Sequence, residues 1–221
     1  MDTIIILIIV LLPLISQALI TSTYNKYSKI ESTKGLTGKQ VARKILDSNG
    51  LKNVSISEIG GTLTDHYSPK DKHINLSTSI YNESSISSIS VAAHEVGHAI
   101  QDKEHYSFLV FRSKMVPIVN FSSRFATIFI VLGFMLEIFN LVYVGIALLS
   151  IGLIFQLITL PVEFDASRRA KIQLKKLGII NQDEINGTNK VLGAAAFTYV
   201  ANFLASALQI ARLIINNKNR R

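Results

Sequence analysis

Four long apolar stretches frame this chain, and a shorter-period, mixed interval lies between the first and the second. Ile4 to Ile20 is an apolar run of about 17 positions broken only by Pro13, Ser16 and Gln17, the lower limit for spanning a bilayer. Val116 to Phe139 and Leu141 to Leu160 form the second and third runs, the latter the clearest transmembrane segment of the chain. Val191 to Ile215 is the fourth. Within the mixed interval, Thr37 and Gln40 form a T-x-x-Q capping box, Val41, Ile45 and Leu46 share an apolar face, and Gly50 closes a helix predicted over 36–50. Val54-Ser55-Ile56-Ser57-Glu58-Ile59 and Lys72-His73-Ile74-Asn75-Leu76-Ser77 alternate with period two, as half-buried strands do. Gly60-Gly61, the run Thr62-Leu63-Thr64 and a Ser68-Pro69 turn separate them, so a small sheet is expected, with Asn75 and its neighbours as its substrate-binding edge. A further helix is predicted over Ser84 to Gln101, with Ser84 and Ser85 as N-cap candidates.

Composition narrows the class. The 221 residues are 48% hydrophobic with a mean hydropathy of +0.34, yet carry a net charge of +8. That combination suits a membrane protein whose basic residues lie in the loops on one side. Nucleic-acid binding is excluded, because the charges are not interleaved with aromatics on one amphipathic face. With no cysteine, neither a disulfide framework nor a thiolate-held metal is possible. The first apolar run is preceded by Asp2 and by no Lys or Arg, and no small-x-small cleavage site follows it, so it reads as a retained anchor.

Charge also sets the expected topology. Lys26, Lys29 and Lys34 follow the first run, placing the next segment in the cytoplasm. The turn from Glu137 to Asn140 carries no Lys or Arg and fits the outside, whereas Arg168, Arg169, Lys171, Lys175 and Lys176 return the chain to the inside. Arg124, about two turns into the second run, either snorkels to the interface or faces the bundle interior. The fourth stretch is rich in alanine, holds Asn202, Gln209 and Arg212, and ends on Lys218, Arg220 and Arg221. One crossing would put that basic tail outside, so a helix packed on the cytoplasmic domain or lying in the interface is expected. The expected fold is a predominantly α-helical integral membrane protein, with an α+β domain and a small sheet inserted between transmembrane helices. Its parts are an anchor (1–22), a cytoplasmic domain (23–115), a transmembrane hairpin (116–161) and a segment ending in the Ala-rich helix (162–221).

The chemistry sits at His94-Glu95-Val96-Gly97-His98. On a helix, positions i and i+4 lie on one face, so both imidazoles can share one Zn²⁺, with Glu95 beside it as general base. The competing reading is a solvated helix with two idle histidines. At this composition an H-E-x-x-H arises by chance roughly 0.4% of the time, and uncharged Val91, Ala92, Ala93, Ala99 and Ile100 flank it. A catalytic zinc site needs a third protein ligand. The acidic candidates are Asp102, Glu104, Glu137, Glu163, Asp165 and Glu184. Asp102 and Glu104 are too close along the same helix to fold back easily, and Glu137 is expected on the outer face. Glu163, just past Pro161 at the inner end of the third run, is on the same membrane face as His94 and His98; a carboxylate at that depth is costly unless paired or ligating. Its alternative is an interfacial charge paired with Arg168 or Arg169. Glu163 is the expected third ligand. His66 and His73 read as surface or core histidines.

Three separated motifs in order carry a resemblance: Gly61-Thr62-Leu63-Thr64-Asp65-His66-Tyr67-Ser68-Pro69, the helix from His94 to Gln101, and Leu160-Pro161-Val162-Glu163-Phe164-Asp165-Ala166-Ser167-Arg168-Arg169-Ala170. The chain resembles the YugP-like membrane zinc metallopeptidases over nearly its whole length. More distantly it is similar to the HtpX-type membrane metalloproteases, in which a downstream glutamate completes the zinc site. The resemblance implies a peptidase whose α+β domain is zincin-like. That wider pattern has an aspartate four residues after the glutamate, where this chain has Ser167; Asp165 is the substitute expected to orient a histidine ligand.

The expected activity is therefore zinc-dependent peptide hydrolysis, with His94, His98 and Glu163 as ligands and Glu95 as base. Tyr199, His66 and Tyr67 are the candidate oxyanion donors. Expected partners are protein or peptide substrates, membrane proteins among them, and membrane lipids; the expected location is the cell membrane, multi-pass, with the site facing the cytoplasm. Two rivals stand beside it. An intramembrane protease would need a downstream L-D-G, which is absent. A membrane scaffold or chaperone-like module with a structural zinc site would need a fourth protein ligand and has no use for Glu95.

Overall fold

A computed structural model describes residues 2–218. The elements run α1 (Asp2–Tyr27), α2 (Gly38–Ser48), β1 (Ser55–Ile59), β2 (His66–Ser68), β3 (His73–Ser77), α3 (Thr78–Asn82), α4 (Ile86–Lys103), α5 (Ser107–Met135), α6 (Phe139–Lys176) and α7 (Glu184–Lys218). The chain divides into two compact units: Met1–Gln17, Ser107–Pro161 and Phe197–Arg221 form one, Ala18–Tyr106 and Val162–Ala196 the other.

The first unit is helical. Thr3–Tyr27 of α1, together with α5, α6 and α7, are long and apolar enough to cross a membrane. Their large apolar side chains point outward: Leu14 and Phe121 are about 60% exposed, and Ile4, Ile118 and Ile154 more than half. A helical surface of that kind is stable when hydrocarbon covers it. α5 and α6 form a tight hairpin closed at Leu136–Ile138, where Glu137 takes a positive φ of 57°. Glycines let the two helices touch: a Cβ on Gly145 would stand 2.9 Å from the Ala126 carbonyl oxygen, and one on Gly133 2.8 Å from the Val142 nitrogen. α5 begins at Ser107 rather than Val116, so Arg112 and Lys114 are already helical, and the Arg124 side chain is exposed, as a snorkelling residue is. The last helix is longer than its apolar stretch, Glu184–Lys218 instead of Val191–Ile215, and meets the length and apolarity of a span.

The second unit packs α2, α3, α4 and the start of the α6 C-terminal part around a common core. Val41, Ala42, Ile45 and Leu46 from α2, Ile74 and Leu76 from β3, Ile80 from α3, and Ile89, Ala92 and Val96 from α4 are all fully buried there, with Ala170 and Leu174 from α6. α2 starts as the sequence requires: Thr37 Oγ1 accepts from the Gln40 N–H at 3.3 Å and Gln40 Oε1 accepts from the Thr37 N–H at 2.9 Å. The sheet has the order β1-β3-β2, with β1 parallel to β3 (Ile56 opposite Ile74) and β2 antiparallel to it (Tyr67 opposite Ile74).

Alternation does not announce β2, and one sheet expectation is corrected. Gly61 and Leu63 take positive φ of 102° and 58°, a turn geometry that keeps Thr62–Thr64 out of the ladder, and the short strand that follows starts at His66. Asn75 is not at an edge. It lies in β3, the central strand, paired to Ser57 on one side and His66 on the other. The outer strands are β1 and β2.

Candidate metal centre

α4 positions two of the side chains. Its N-cap is Ser85, whose hydroxyl accepts from the Ser88 N–H at 3.1 Å. The following serines are not solvated: Ser87, Ser88 and Ser90 are buried, and Ser87 donates to the Tyr24 carbonyl at 2.9 Å. Small hydroxyl side chains let this first half of the helix sink into the unit. One turn apart, from the middle of the helix onward, the His94 and His98 rings meet edge to face with centroids 4.8 Å apart.

The third side chain comes from α6. Glu163 is 3% exposed, and its Oε2 lies 3.3 Å from His94 Nε2 and 3.7 Å from His98 Nε2. The three donor atoms fall within 4.8 Å of one another, and among the described residues the group comprises these three side chains. α4 and α6 can approach this closely because the residue between the histidines is glycine. A Cβ on Gly97 would stand 2.5 Å from the Ala166 carbonyl oxygen.

The donor set fits a metal ion. Zinc–nitrogen and zinc–oxygen bonds of about 2.0–2.2 Å at tetrahedral angles put ligand atoms about 3.3–3.5 Å apart, close to the two separations found. Two imidazoles and one carboxylate leave a fourth position open, as in catalytic rather than structural zinc sites. Both histidines also present the correct nitrogen, because each Nδ1 is already engaged: His94 Nδ1 with the Ser167 hydroxyl at 3.1 Å, His98 Nδ1 with Gln101 Oε1 at 3.0 Å.

Glu95 is buried beside the group, and burial is the main reason its carboxyl is pushed up to about 7. Neighbouring His94 pulls the other way, Glu163 and Asp65 reinforce the rise, and the Tyr67 backbone N–H donates a hydrogen bond that lowers it. Asp65 is itself raised by burial, although its Oδ1 accepts from the Ser77 N–H at 2.7 Å.

The other acidic candidates are spoken for elsewhere. Asp102 accepts from the Tyr67 hydroxyl at 2.6 Å and from Lys72; Glu104 accepts from Arg169 at 2.7 Å; Glu184 accepts from the Asn181 N–H at 2.8 Å and from the Thr33 N–H at 2.7 Å. Glu137 belongs to the other unit. Glu163 is not the partner of Arg168 or Arg169, both of which bind Asp165. Nor does Asp165 touch a histidine: its Oδ2 accepts from Gln101 Nε2 at 3.0 Å. Ser167 itself holds His94 where the wider pattern has an aspartate. Sequence reasoning missed Gln101, although its position three residues after His98 on one helix was a usable signal.

The oxyanion candidates fare unevenly. The Tyr67 hydroxyl is taken by Asp102; burial, reinforced by that carboxylate, pushes it well above the ordinary phenol range. His66 Nδ1 meets the Thr64 carbonyl at 2.8 Å, which makes it the donor, so Nε2 accepts from Asn75 Nδ2 at 3.1 Å and has no proton to give. Tyr199 lies in the other unit.

Comparison with known proteins gives the family. A family model described as "Putative neutral zinc metallopeptidase" matches residues 2–218. The chain is 49% identical over 200 residues to the "Putative membrane protease YugP" of Bacillus subtilis (strain 168), covering 90% of this chain and 89% of that protein. No solved structure matches. A match over almost the entire described chain, with a relative of this identity, means that the protein belongs to the family described as "Putative neutral zinc metallopeptidase".

Proposed function

We propose that this protein is a membrane-anchored zinc-dependent endopeptidase, with His94, His98 and Glu163 as metal ligands and Glu95 as general base. The convergence of two histidine Nε2 atoms and one buried carboxylate oxygen beside a second buried carboxyl carries this reading. The family description and the relative's name support the same class. Zn²⁺ held there supplies Lewis acidity toward a water nucleophile and the scissile carbonyl. Glu95, with its proton affinity raised to about 7, takes the proton from that water and delivers it to the departing amine. Gly97 keeps α4 against α6, and Ser167 and Gln101 keep the two imidazoles aimed. The peptide lies extended along β2, an outer strand whose Tyr67 N–H already faces Glu95.

The ligand-bearing unit is zincin-like and faces the cytoplasm, the side to which Lys26, Lys29 and Lys34 and the basic run from Arg168 to Lys176 assign it. Its substrates are proteins or peptides, membrane proteins among them. A scaffold with a structural ion would need a fourth protein ligand and would leave Glu95 without a purpose. The test is Glu95→Gln in the purified full-length protein. Zinc content is expected to stay unchanged while hydrolysis of an unfolded protein substrate falls by about 10²–10⁴-fold; undiminished hydrolysis would overturn the assignment.

A further inference from the structure

Gln101 is fully enclosed on α4, and its amide has chemically distinct neighbours at each end. Nε2 donates to the Val162 carbonyl oxygen at 2.8 Å and to Asp165 Oδ2 at 3.0 Å. Both are acceptors only, so the reversed amide would set oxygen against two oxygens. The carbonyl end must therefore face His98, whose Nδ1 is 3.0 Å away. An amide oxygen cannot donate, so this Nδ1 carries the proton and the Nε2 lone pair is left directed toward Glu163. His94 is held differently. Its Nδ1 meets the Ser167 hydroxyl, which both donates and accepts and thus fixes no tautomer.

We propose that Gln101 is a positioning residue that locks His98 in its ligand-competent Nδ1–H tautomer and ties it to the Glu163 segment of α6 through Val162 and Asp165. The proposal rests on the metal reading of the site. Asp165 is clamped by Arg168 and Arg169, and Arg169 in turn binds Glu104. This string of charge-assisted bonds polarises the Gln101 amide and makes its oxygen a stronger acceptor for His98. The two histidines consequently differ: one is fixed by a charged relay, the other by an adaptable hydroxyl.

The test uses the full-length protein in detergent micelles, with Zn²⁺ affinity from chelator competition and the His98 side-chain ¹⁵N shifts of the zinc-free protein. Gln101→Leu keeps the bulk and removes the acceptor. Affinity is expected to fall about 10–100-fold, with His98 showing both neutral tautomers. Wild-type affinity or an unaltered His98 signature in Gln101→Leu overturns the proposal. Should that variant fail to fold, Asp165→Asn decides: binding weakened about threefold or more at unchanged helix content supports the relay, and unchanged binding overturns it. Absence of zinc binding by the wild type would instead refute the metal reading itself.

Discussion

Glu95 sits where burial works against its charge, and that has a measurable cost in the metal-free protein. Its folded carboxyl is raised to about 7 against an ordinary value of 4.5. The folded state therefore binds this proton more tightly than the unfolded one. No penalty exists well below pH 4.5; it grows between 4.5 and 7 and is complete above 7. Glu95→Gln, with no charge to bury, is expected to be more stable than wild type at pH 8 in the presence of chelator, by up to about 3 kcal/mol, and nearly equal at pH 4.5. Denaturation in micelles across that range checks it, and a pH-independent difference would contradict it. At this scale the sequence revealed the residues whose spacing is the signal, His94, Glu95 and His98. It revealed Glu163 through its position at the C-terminal end of an apolar run. It did not reveal Gln101 or Ser167, because a glutamine and a serine acquire their roles only once α4 lies against α6.

At the scale of elements, the α4–α6 contact turns on Gly97. Helix propensity alone would make Gly97→Ala stabilising by about 1 kcal/mol. The added methyl would, however, meet the Ala166 carbonyl oxygen at 2.5 Å, and backbone on both sides cannot yield. The steric effect is expected to win: α4 and α6 separate, and Zn²⁺ affinity drops about tenfold or more, read by chelator competition. Unchanged affinity would mean that the helices have slack. Helix starts were legible because their chemistry is local; the Thr37–Gln40 box and the Ser85 cap stand where the sequence put them. The sheet was legible only in part. The ends of β1 and β3 follow from alternation, but β2 is three residues long, and its place at the edge, with Asn75 at the centre, depends on pairing that no local pattern encodes.

For the whole molecule, two of the three expected ligands lie on α4 and the third in the C-terminal half of α6, so the chain between them runs through α5 and the first half of α6, a hairpin apolar enough to cross a membrane twice. The chain contains no cysteine, so single substitutions report topology without background. In intact cells a membrane-impermeant maleimide is expected to label Glu137→Cys, on the hairpin connection, and to reach Lys44→Cys, exposed on α2, only after lysis. Labelling in the opposite order would reverse the orientation. Composition and charge made the membrane class legible, whereas the extent of the last helix was not, since its alanines suit a packed helix and a span alike. The central claim is that a ligand from α6 closes a site begun on α4, and metal analysis of purified protein tests it most directly. Wild type and Glu95→Gln should each carry about one Zn²⁺ per chain, and Glu163→Gln should lose most of it at equal helix content. Full zinc occupancy in Glu163→Gln would contradict the account.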